Sequence, residues 1–120
     1  MVQVDISQLS AESNAWRAQL RTYRDEFTQD ENKIRQVAGK PLSKEQLQEV
    51  EHLHNQFHIQ LINIHDLKQA IKQHERQLET DSSSSENNSK HAELQEEFNS
   101  LELTLQQLRA EFSGFLSRTS

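Results

Sequence analysis

Residues 94–115 read LQEEFNSLELTLQQLRAEFSGF, and in them Leu94, Phe98, Leu101, Leu105, Leu108, Phe112 and Phe115 recur in steps of four and three. That rhythm holds side chains on one face of a helix, whereas a strand needs steps of two. Two earlier segments keep the same rhythm. In the first, Ile6, Leu9, Ser13, Trp16, Leu20, Tyr23, Phe27, Asp30, Ile34 and Val37 follow it. In the second it runs through Leu47, Val50, His54, Phe57, Leu61, Ile64, Lys68, Ile71, Glu75 and Leu78. No single amphipathic helix of this kind is stable alone in water, so the three stripes must shelter one another. The expected fold is all-α: an antiparallel three-helix up-down-up bundle with coiled-coil-like packing, one domain over residues 1–120.

Composition agrees. Two glycines, one proline and no cysteine in 120 residues leave little material for turns, which favours few, long elements. Hydrophobic residues make up 32% of the chain, a share that suits helices burying narrow stripes. The net charge of −6, with both signs interspersed, disfavours nucleic acid and anionic membranes as partners. Without cysteine there is no disulfide, thiolate metal site or cysteine nucleophile. Residues 1–10 carry neither a basic nor an apolar signal region, and no apolar run approaches the roughly 20 residues of a membrane span. A cytoplasmic protein is expected, with no membrane insertion.

Helix boundaries are expected at about 6–38, 44–80 and 90–117. Gly39, followed by Lys40 and Pro41, predicts a stop, with glycine in a left-handed cap and proline unable to continue. Ser43 to Gln46 forms a capping box, and Leu42 and Leu47 occupy the two positions of a hydrophobic staple. Asp5 and Gln8 offer a weaker box at the first helix. The polar stretch TDSSSSENNS, residues 80–89, predicts a flexible loop with Asn88 or Ser89 as the next N-cap. Aligned through these turns, Tyr23, Phe27, Phe57, Phe112 and Phe115 gather at one end, with Trp16 level with Ile64 and Leu101 or Leu105. Three antiparallel helices with Trp16 midway along the first resemble a spectrin-like three-helix repeat. The likeness covers that architecture and one aromatic position, and it implies nothing about activity.

No nucleophile–base–orienter set is visible, so the expected function is non-enzymatic, with no catalytic residues and no cofactor. The histidines offer one alternative. His54 and His58, four apart on one face, with Glu51 in a Glu-x-x-His spacing to His54, suggest a metal-binding bundle. Such sites need matching motifs on a second helix, and helices one and three have no Glu-x-x-His; His54 then lines the core and the other histidines are solvated. The surfaces carry the leading expectation. Ile59, Ile62, Leu67 and Leu103 lie off the main stripes, and Ala11, Ala15 and Ala18 line the outward face of helix one. These seven residues are the candidate interface, for a homo-oligomer or for another helical protein.

Overall fold

The capping box at Ser43 starts the second helix. Gln46 donates its backbone amide to Ser43 Oγ at 3.1 Å, and the Ser43 amide donates to Gln46 Oε1 at 2.9 Å. In this computed structural model, which describes residues 6–80 and 85–119, three helices result. They are α1 (Ile6–Ala38), α2 (Lys44–Thr80) and α3 (Ser85–Thr119), with no strand among the described residues. Each neighbouring pair runs antiparallel, giving a rod with principal extents of 61 × 22 × 16 Å. Among the described residues, no helix is long and apolar enough to cross a membrane.

The α1 and α3 stripes are buried as expected. Leu9, Trp16, Leu20, Tyr23, Phe27, Ile34 and Val37 face Leu94, Phe98, Leu105, Leu108, Phe112 and Phe115, with Leu101 partly buried against them. At the α1–α2 turn end, Phe57 packs at 4.8 Å from Phe27 and 5.4 Å from Phe112, ring centre to ring centre.

In α2 the buried stripe is Val50, Leu53, Phe57, Gln60, Ile64, Leu67, Ile71, His74 and Leu78. Val50, Phe57, Ile64, Ile71 and Leu78 belong to the expected stripe. Their companions are Leu53, Leu67 and His74 instead of Leu47, Leu61 and Glu75, a rotation of the helix by one position. Leu47 is 41% exposed while Leu42 packs on the core, so the expected staple does not close.

Three further expectations are corrected. Gly39 is not in a left-handed conformation. Helix α1 ends instead in tightened turns, Gly39 amide to Gln36 carbonyl at 3.3 Å and Lys40 amide to Val37 carbonyl at 3.0 Å, before Pro41. Asn88 and Ser89 are not N-caps: α3 begins at Ser85, because Asn87 and His91, 5% exposed each, extend its buried stripe by a full turn. Tertiary burial there overrides the poor helix propensity of serine and asparagine. Trp16 stacks on His91 at 4.6 Å and lies 6.1 Å from Phe98, instead of lying level with Leu101 or Leu105. The early start of α3 sets this register: α1–α3 contacts join residues 79 apart, which puts Gln95, between His91 and Phe98, level with Trp16. The rest of the expected loop, residues 81–84, and Asp5 of the weaker capping box lie outside the described residues.

Candidate interaction faces and a buried histidine pair

The outward faces come first, because the seams determine what they leave exposed. Ile59 and Ile62 are 45% and 48% exposed and sit three residues apart on the face of α2 that points away from the core. Leu103, 57% exposed, holds the corresponding place on α3, and Ala11, Ala15 and Ala18 are exposed on α1. Leu67 is corrected: at 7% exposure it belongs to the core, on the rotated seam of α2.

The metal alternative finds no support in the geometry. His54 is half-buried on the flank of α2, whereas His58 and Glu51 are exposed. Among the described residues no group of three or more histidine or acidic side chains is placed to hold a metal ion. Two of the remaining histidines, expected to be solvated, are buried. His74 is 1% exposed, on the rotated seam of α2, and His91 5%, on the buried stripe that the early start of α3 extends.

These two form a chain of contacts across all three helices. His74 Nε2 lies 3.1 Å from His91 Nδ1, and His91 Nε2 lies 3.1 Å from Glu12 Oε1. With Glu12 ionised, His91 donates from Nε2 and accepts at Nδ1 from the His74 Nε2–H. His74 Nδ1 is then a bare acceptor, and it is buried without a hydrogen-bond partner among the described residues, as is Ser13 Oγ. Burial holds the His74 imidazole below its ordinary 6.5, and His91 and Lys90 push the same way against a smaller opposing pull from Glu75. The unfolded chain therefore binds this proton more readily than the folded one. The stabilisation is complete above pH 6.5 and is lost as pH falls toward the depressed folded value. Thermal unfolding between pH 7.5 and pH 5 should show a larger drop in midpoint for the native chain than for His74→Leu. Parallel curves would assign the acid loss to other groups.

Polar side chains also bridge α1 and α3. Tyr23 donates to Glu102 Oε2 at 3.0 Å and accepts from Gln106 at 3.4 Å, and burial pushes its phenol up. Arg109 donates to both Asp30 oxygens, at 2.7 and 3.3 Å, and to Glu26 at 2.8 Å.

The α1–α2 flank is different. Arg17 binds both oxygens of Glu75, at 2.6 and 3.1 Å. One turn along each antiparallel helix this register sets Arg21 opposite Lys72, and one further turn sets Arg24 opposite Lys68. The half-buried Lys68 ammonium is held below its ordinary range by desolvation first, then by Arg24, Arg21, Lys72 and Arg17. Among the described residues Arg21, Lys68 and Lys72 form no ion pair, and Arg24 pairs only with its exposed neighbour Asp25. Five cations thus line one groove of a chain whose net charge is −6. Their i, i+4, i+7 spacing on α1 is legible in the sequence; their meeting with Lys68 and Lys72 requires the helix register. No family model, no curated protein and no solved structure matches this chain.

Proposed function

We propose that this chain is a non-enzymatic helical interaction protein, acting in the cytoplasm, whose outer faces dock a second copy or a partner helix. The observation that carries the reading is the Ile59–Ile62 pair. Two β-branched side chains, each nearly half exposed, sit one turn apart on a face of α2 that the core does not use. An i, i+3 apolar pair on an amphipathic rod is the footprint of helix-against-helix recognition, and Leu103 repeats the feature on α3. The test is sedimentation at micromolar concentration, with capture of helical partners in parallel. Replacing Ile59 and Ile62 together by glutamate should weaken the association at least tenfold while leaving the helical signal unchanged, since neither residue is in the core. A strictly monomeric chain that also captures nothing would remove this reading.

A further inference from the structure

The cationic groove between α1 and α2 is costly as it stands. In antiparallel bundles the flanking positions of facing helices usually pair opposite charges. Here, among the described residues, only the Arg17–Glu75 rung does so. Arg21 faces Lys72 and Arg24 faces Lys68, so two consecutive rungs set cation against cation. Lys68 is half-buried among them. Such a groove is relieved by anions presented from outside at the same one-turn interval, which is what an acidic helix lying along it supplies.

The chain carries a surface of that chemistry. Helix α3 holds six glutamates against three basic residues. Of these glutamates, Glu93, Glu96 and Glu97 are exposed within a single turn and a half; Glu93 is 3.9 Å from Lys90, and Glu96 and Glu97 form no ion pair among the described residues. They also lie at the height of the groove. The Glu12–His91 and Tyr23–Glu102 contacts both join residues 79 apart, which puts Glu96 level with Arg17. We propose that the Arg21–Lys72 and Arg24–Lys68 rungs dock the Glu93, Glu96 and Glu97 face of a second copy of this chain. The groove lies on the side of the bundle away from α3, so the contact is heterologous: copies lying side by side and parallel each give a groove to one neighbour and an acidic face to the next. The proposal rests on the interaction reading above and adds the electrostatic determinant of the partner.

Sedimentation equilibrium of the full chain in 0.1 M salt tests it. At that ionic strength the Debye length of about 10 Å mutes repulsion between the two net charges and spares contacts at ion-pair distance. Concentration-dependent self-association is expected, weakened at least tenfold in 0.5 M salt. Arg21→Glu with Arg24→Glu should abolish it. Because that variant turns both like-charge rungs into opposite-charge ones, its thermal midpoint should stay level or rise, which separates lost docking from lost folding. Glu93→Lys with Glu97→Lys should also be monomeric, and mixing the two variants should restore association. A monomeric native chain, or self-association indifferent to the Arg21 and Arg24 reversals, overturns the proposal. If that indifferent self-association is lost on replacing Ile59 and Ile62, the interaction reading survives without the cationic groove; binding to an unrelated acidic protein with no self-association also overturns the second-copy assignment.

Discussion

Phe57→Ala should lower the stability of the bundle by about 3–5 kcal/mol, the largest loss expected from any single apolar truncation. The ring is completely buried and touches both neighbouring helices, through Phe27 at 4.8 Å and Phe112 at 5.4 Å. Truncation removes the transfer energy of the ring and its two aromatic contacts, and it leaves a cavity that three rigid rods cannot easily collapse. A single domain has only about 5–15 kcal/mol in total, so the loss is a large part of it. The thermal midpoint should drop by about 10–25 °C. Urea unfolding should show a lower midpoint with an unchanged slope, because the native state stays helical. Phe57→Leu, which keeps most of the volume, should cost no more than about 2 kcal/mol. A loss below about 1 kcal/mol for the alanine variant would mean that the aromatic end is not where the bundle is held.

That end was legible from the sequence because its residues leave no choice of seam. On α1 and α3 the apolar stripe is narrow and nearly unbroken, so the rhythm determines both the period and the face. Helix α2 is another matter. Val50, Phe57, Ile64, Ile71 and Leu78 are common to two possible stripes, one completed by Leu47, His54, Leu61, Lys68 and Glu75, the other by Leu53, Gln60, Leu67 and His74. Each holds two apolar companions, and a helix wedged between two neighbours has both flanks partly covered, so a single sequence does not rank them. The rotation decides what is functional on the surface: it moves Leu67 inward and turns Leu47 outward.

The same ambiguity hid the polar interior. On the expected stripe His74 lies on a solvated flank; on the observed one it points into the bundle and meets His91, which the earlier start of α3 brings into the core. The exposed isoleucines were visible early because they lie off either stripe. The cationic groove was only half visible. Arg17, Arg21 and Arg24 share a face by spacing alone, but that they confront Lys72 and Lys68 depends on which residues the short Gly39–Ser43 connection brings level.

Arg109→Met is the second large effect, expected at about 2–3 kcal/mol. Asp30 is 2% exposed, and the groups that compensate its burial are the Arg109 Nε and Nη2 hydrogen bonds. The guanidinium in turn is held above its ordinary range chiefly by that hydrogen bond to Asp30, with Glu26 adding to it. Breaking a fully buried ion pair by removing one partner costs about 3–5 kcal/mol, because the remaining charge is stranded. The Arg109 side chain is 37% exposed, so water reaches the vacated side and the figure is discounted. Bulk and charge separate in the double variant. Asp30→Leu with Arg109→Met removes both charges and keeps the volume, and it should recover most of the loss, since an apolar pair of similar size often equals or exceeds a buried ion pair. What the apolar pair should not recover is uniqueness: a leucine facing a methionine tolerates a slip of one turn that a bidentate carboxylate–guanidinium contact does not. The amide spectrum of the double variant should therefore show broadened or doubled resonances around Asp30 and Arg109 at near-native stability. Sharp, single resonances there would reduce the ion pair to a local contact and give the setting of the register to the aromatic residues alone.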